Sequence, residues 1–217
     1  MTTPETLVAR TVDELDYAYR VLAESLDLGC DTETAGFDAR RSRLLSVQIS
    51  DGRFAVLVPA SEGVALGPLA QLLASSDYLK IFHNAKFDLR FLDEAGYTVR
   101  RVYDSMIAEK LITRGADQSN SLAETLYRYF AIDLDKTQRE TFSSKSWDGC
   151  WTPELVEYAL SDVRHLPELK RQQTEWLERL RLTDEFAAKM AKLRPAAAAG
   201  TCDEEGDAGG DARAVNY

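Results

Sequence analysis

Only three cysteines occur in 217 residues, Cys30, Cys150 and Cys202, and no two of them form a Cys-x-x-Cys pair. That spacing excludes a disulfide framework and a cysteine-built zinc site, and a reduced, cytoplasmic setting is expected. No apolar run approaches the roughly 18–20 residues of a transmembrane helix, so no membrane span is expected. Met1-Thr2-Thr3-Pro4-Glu5 lacks the charged-then-apolar layout of a signal peptide. Basic residues are also short: 26 Lys and Arg face 36 Asp and Glu, a net charge of −10. Residues 194–217 hold five of those acids and two arginines, leaving 31 acids against 24 bases elsewhere. Such a balance excludes a protein that coats nucleic acid through many phosphate contacts. It still allows one that grips a single terminus through metal ions and a few local bases.

A hydrophobic content of 45% is enough for one domain with a sizeable core. Thr11-Val12-Asp13-Glu14 is a capping box, and Leu15, Ala18, Leu22 and Leu26 follow at helical spacing, predicting a helix over about residues 12–25. Leu28 to Glu33 reads as a strand. Asp51-Gly52 joins the apolar runs Leu44–Ser50 and Arg53–Val58 as a hairpin. Leu66, Leu69, Leu72 and Leu73 suggest a helix, Leu79–His83 a short buried strand and Asn84–Ala95 another helix. A weak strand at Thr98–Tyr103 precedes helices near Asp104–Thr113 and Leu122–Phe130. Thr152-Pro153 starts a further helix, which Pro167 should kink or end. Helix continues through Trp176, and a short one follows Thr183. Three antiparallel strands, then helix, strand, helix, strand and helices, describe an α/β mixed sheet flanked by helices. That order is compatible with a ribonuclease-H-like fold. The domain is expected to occupy residues 1–193, and the Ala- and Gly-rich acidic stretch 194–217 reads as a flexible tail.

Four carboxylates stand in apolar surroundings. Period two puts Asp31 and Glu33 on one strand face, so both can point at one ion. Asp88 falls in the first turn of its helix, with Phe91 and Leu92 one turn on along the face toward the sheet. Asp162 interrupts the helical stripe Leu155, Tyr158, Ala159, Leu166 and Leu169, and Tyr158 lies one turn before it. Unpaired buried carboxylates are costly, so four of them call for a cation between them. The natural candidate is a pair of divalent metal ions acting on phosphate.

Asp-x-Glu on a strand, Asn-Ala-Lys-Phe-Asp after another strand, and Tyr-x-x-x-Asp on a late helix together resemble the DEDD exonucleases, over roughly residues 7–180. The tyrosine variant is indicated, because Glu157 stands five residues before the last Asp, where the histidine variant has His. Leu134 to Trp147 is similar to ribonuclease D and the Werner-type exonucleases, and His83–Leu92 to the proofreading domains of family A polymerases. In 217 residues there is no room for the C-terminal helical domains of full-length ribonuclease D, or for a polymerase domain.

The resemblance implies a ribonuclease-H-like fold and 3′–5′ hydrolysis of single-stranded ends, RNA slightly ahead of DNA, releasing nucleoside 5′-monophosphates. It implies two Mg²⁺ or Mn²⁺ ions about 4 Å apart. Asp31, Glu33 and Asp162 would hold one ion; Asp31 and Asp88 would hold the other; Tyr158 would orient the attacking water. Thr34 would contact the terminal nucleotide, Phe37 would wedge against its base and Asn84 would contact the nucleic-acid backbone, with a core phenylalanine and a helix cap as the plain alternatives for the last two. A DNA-directed exonuclease is the nearest rival, and a non-catalytic nucleic-acid-binding module on the same fold is the alternative of another class.

Overall fold

The computed structural model describes residues 5–114, 116–134, 147 and 149–193. The first half runs β1 (Glu5–Val8), α1 (Val12–Leu22), β2 (Asp27–Thr34), β3 (Leu44–Ser50), β4 (Phe54–Val58), a 3-10 turn at Ala60–Glu62 and α2 (Leu69–Ala74). Next come β5 (Leu79–Phe82), α3 (Ala85–Glu94), β6 (Val102–Asp104), α4 (Ser105–Ile112) and α5 (Leu122–Phe130). The last helices are α6 (Pro153–Arg164), α7 (Leu166–Arg179) and α8 (Thr183–Ala191).

Local chemistry sets these boundaries. The Thr11 hydroxyl accepts from the Glu14 N–H, and the Glu14 carboxylate accepts from the Thr11 N–H, closing the capping box ahead of α1. Asp51 Oδ1 accepts from the N–H groups of Arg53 and Phe54, both at 2.8 Å, which folds the β3–β4 hairpin. Gly52 supplies the left-handed backbone there, with φ of 91°. Ahead of Pro167 the helix stops at His165, and a new helix starts at Leu166 with the proline in its first turn, where no N–H is missed. The first helix ends at Leu22, three residues short of the expected limit, because the chain must turn into β2.

The strands form one sheet in the order β1-β4-β3-β2-β5-β6. β2, β3 and β4 are antiparallel neighbours, while β5 and β6 join parallel to β2 through helical crossovers. β1 was not anticipated. It is four residues long and lies parallel to β4 at the edge, so its partner is some 50 positions away and it carries little pattern of its own.

Both faces of the sheet are covered. Leu28, Cys30, Val47, Ile49 and Val56 pack beneath Leu15, Leu22, Leu69, Leu73, Leu89 and Leu92 of α1, α2 and α3. Ala55, Leu57 and Ile81 pack against Ala108, Leu155, Ala159, Leu160, Val163, Leu166 and Leu169 on the opposite side. Among the described residues no helix is long and apolar enough to cross a membrane. The segment 135–146, residue 148 and the expected tail 194–217 lie outside the described residues.

Candidate active site

The strand period that places Leu28, Cys30 and Thr32 on one face of β2 gives Gly29, Asp31 and Glu33 to the other. Across the antiparallel ladder Asp31 faces Gln48 and Glu33 faces Ser46. This face at the sheet centre is therefore small and polar rather than apolar. Gln48 and Ser46 are completely buried and joined by a 2.6 Å hydrogen bond from Gln48 Nε2 to Ser46 Oγ. Gln48 Oε1 has no hydrogen-bond partner among the described residues.

Helix α6 lies over this face. Its start is fixed by Thr152, whose hydroxyl accepts from the Leu155 N–H, with Pro153 next in line. Leu155, Ala159, Leu160 and Val163 bury its inner stripe. Asp162 sits at the stripe's edge, partly buried, with Tyr158 one turn earlier. Gly29 has no β-carbon to hold the helix off. The result is a cluster in which one carboxylate oxygen each from Asp31, Glu33 and Asp162 lies within 4.8 Å of the others.

Like charges that close disfavour full ionisation. Burial pushes the Asp31 carboxyl well above the ordinary range, and the charges of Asp88, Asp162 and Glu33 push it further. A donor set made only of carboxylate oxygens, which repel one another when empty, fits a hard divalent cation. These residues therefore suit the metal that the sequence implied.

Asp88 reaches the site by another route. β5 pairs with β2 only as far as Gly29, so the Thr32 N–H lies beyond the end of that ladder. The buried Asp88 carboxylate on α3 takes the vacant place: Oδ1 accepts from Thr32 N at 3.1 Å and from Thr32 Oγ1 at 2.7 Å. Asp88 is close enough for its charge to raise Asp31, yet it stands outside the three-oxygen cluster. Burial pushes its own carboxyl up to about 7, against the Thr32 hydrogen bonds, which pull it down.

The remaining candidates are arranged around this centre. Thr34 donates its hydroxyl to the Gly36 carbonyl at 2.8 Å, bracing the turn that leaves β2. Phe37 projects from that turn, 80% exposed, and its ring meets Phe87 at 6.4 Å. Asn84 holds the N-cap position of α3 in the left-handed region, φ 73°, but its side chain makes no capping bond. Asp104 does that work instead. Its buried carboxylate accepts from the N–H groups of Asn84 and Ala85 and also from Met106 and Ile107, holding the starts of α3 and α4 together. His83 is spent structurally, its ring nitrogens bonded to Ser105 Oγ and the Asn120 carbonyl, both at 2.9 Å. Glu157 forms a two-point ion pair with Arg164 and is not part of the three-carboxylate cluster. Sequence reasoning missed Thr32, Gly29, Gln48 and Asp104. Of these only Gly29 had a signal, as a glycine interrupting a buried strand.

A mixed sheet with helices on both faces and a carboxylate cluster over its central strand defines an α/β protein of ribonuclease-H-like architecture, with an acidic site suited to divalent cations. The chain belongs to the 3′–5′ exonuclease family, whose model matches residues 8–178. Ribonuclease D of Jannaschia sp. is 31% identical over 185 residues, covering 77% of this chain and 46% of that protein. The chain thus spans about half the length of the curated relatives it matches. Brucella melitensis NrnC bound to pGG superposes with a TM-score of 0.72 at 27% identity, over 88% of this chain and 90% of that one. The same protein with bound Mg²⁺ gives 0.69. Escherichia coli RNase D shares the fold, with a TM-score of 0.74 at 19% identity, over 88% of this chain and 50% of that one.

Proposed function

We propose that this chain hydrolyses phosphodiester bonds at the 3′ end of single-stranded RNA, one nucleotide at a time, with two Mg²⁺ or Mn²⁺ ions. The observation that carries this reading is the convergence of Asp31, Glu33 and Asp162 oxygens within 4.8 Å beside the buried Asp88. RNA is favoured over DNA because ribonuclease D and the pGG-bound NrnC are among the relatives.

Asp31, Glu33 and Asp162 would hold one ion, and Asp31 with Asp88 the other. Divalent ions at such a site acidify water and neutralise charge on the scissile phosphate. Tyr158 orients the attacking water through a hydrogen bond from its phenol hydroxyl. Phe37 offers an exposed ring to the terminal base, and stacking of that kind accepts any base. Thr34 contacts the terminal nucleotide through its backbone, since its hydroxyl is bonded to the Gly36 carbonyl, and Asn84 contacts the nucleic-acid backbone. The catalytic unit is residues 1–193, so removal of 195–217 leaves activity intact.

The test uses 5′-labelled single-stranded RNA and DNA of matched sequence, with Mg²⁺ or Mn²⁺, and with EDTA and Asp162→Ala as controls. A ladder shortening from the 3′ end of RNA, abolished by both controls, is expected. Faster loss of DNA would reassign the polymer. Binding without cleavage by the folded protein would sink the enzyme reading and favour a binding module.

A further inference from the structure

Thr32 stands between two of the site's carboxylates but faces away from them, 95% buried on the α1–α3 side of the sheet with Val47 opposite. Both of its donors, backbone N–H and hydroxyl, go to the same atom, Asp88 Oδ1. Two hydrogen bonds from one rigid strand residue fix both the position of the carboxylate and the rotation of its plane. A β-branched side chain is stiff at χ1, so the hydroxyl is preset rather than recruited. The arrangement also distinguishes the two Asp88 oxygens, since Thr32 occupies Oδ1 alone.

We propose that Thr32 is the positioning residue of the second cation: by holding Asp88 Oδ1 it presents Oδ2 to that ion, directly or through a water. The inference rests on the two-ion reading of the carboxylates given above. It assigns to the middle residue of Asp-Thr-Glu a function separate from its neighbours. Asp31 and Glu33 bind on one face of the strand, while Thr32 works through the other. The first ion, on Asp31, Glu33 and Asp162, does not depend on the Thr32 hydroxyl.

Thr32→Val isolates the hydroxyl, because valine has the same shape, keeps the backbone N–H and suits an apolar pocket. Thr32→Ser restores the donor on a smaller side chain. Mn²⁺ binding to the substrate-free protein, followed by the electron paramagnetic resonance of free Mn²⁺, gives stoichiometry and affinity without turnover. Two ions are expected for the wild type. Thr32→Val should keep the tighter one unchanged and lose about tenfold in affinity for the weaker, the weight of one hydrogen bond to a charged group. The Mn²⁺ concentration for half-maximal RNA hydrolysis should rise by about the same factor, with Thr32→Ser close to wild type in both assays. Thermal unfolding in EDTA separates this from packing. A lower melting temperature with unchanged Mn²⁺ binding would make Thr32 merely structural and overturn the proposal. So would a wild type that takes up only one ion. If the wild type binds two ions but hydrolyses nothing, the exonuclease reading fails while the binding comparison still decides the role of Thr32.

Discussion

A β-carbon added to Gly29 would lie 2.4 Å from the Val163 carbonyl oxygen and 3.0 Å from the Leu166 β-carbon. Helix α6 therefore rests directly on the backbone of β2, one residue from Asp162 and two from Asp31. Gly29→Ala must push the helix outward, because a backbone carbonyl cannot rotate aside as a side chain can. Overpacking of this kind costs about 1–3 kcal/mol. The larger effect should be on activity, since the displaced element carries Asp162. We expect a folded protein with at least about a hundredfold lower kcat, given what misplacement by ~1 Å does to catalysis. Near-normal kcat in a stable Gly29→Ala protein would show that the close approach does not set the cluster.

The acidic cluster should make metal-free stability depend on pH in an unusual direction. Asp31 and Asp88 have folded-state pKa values raised above the unfolded ones, Asp88 to about 7. A carboxyl raised by folding contributes most below its unfolded pKa, and that contribution is lost as pH rises through the folded value. In EDTA the melting temperature should therefore fall between pH 5 and pH 8. Metal ions need the ionised carboxylates, so stabilisation by Mn²⁺ should be greatest at pH 8 and small at pH 5. A melting temperature in EDTA that stays flat or rises over this interval would contradict the argument.

Asp88 serves two purposes that substitution can separate. As a hydrogen-bond acceptor it closes the free end of the β2 ladder at Thr32; as a charge it serves the cation. Asn keeps an oxygen for Thr32 and removes the buried charge. At pH 8 in EDTA, Asp88→Asn should be as stable as wild type or more so. Asp88→Ala should lose about 1–3 kcal/mol by leaving the buried Thr32 donors without an acceptor. Both variants should be inactive. Equal stability of the two in denaturant titrations would mean that the Thr32 bonds contribute nothing to the fold.

What could be read from the chain beforehand follows from how far apart the partners lie. Asp31 and Glu33 share a face because of strand period alone, and Asp162 betrays itself by breaking a helical stripe within a dozen residues. The Asp51-Gly52 hairpin and the Thr11 capping box are equally local. Thr32 and Asp88 are 56 residues apart, and neither residue type demands the other. Asp104 caps α4, a local task; its second, gripping the start of α3 some 20 residues upstream, exists only once β5 and β6 lie side by side. The same holds for Asn84. A helix cap needs no distant partner, yet the Asn84 backbone adopts the left-handed region and the Asp104 carboxylate accepts from its N–H.

Phe37 gives the cleanest separation of binding from folding. Its ring is 80% exposed and, among the described residues, makes one aromatic contact, to Phe87, which itself packs on Phe91 at 5.1 Å. Removing so exposed a side chain should change stability by no more than about 0.5 kcal/mol. If the ring stacks on the terminal base, its loss forfeits about 1–3 kcal/mol of binding, or roughly 5- to 150-fold in KM. The penalty should be similar for purine and pyrimidine ends, since each base has a face to stack. Tyrosine or tryptophan at this position should restore binding, whereas leucine should restore it only in part. Steady-state kinetics on RNAs ending in each of the four nucleotides measure all of this. An unchanged KM for Phe37→Ala on every end would remove Phe37 from the substrate site and leave it as an exposed ring resting on Phe87.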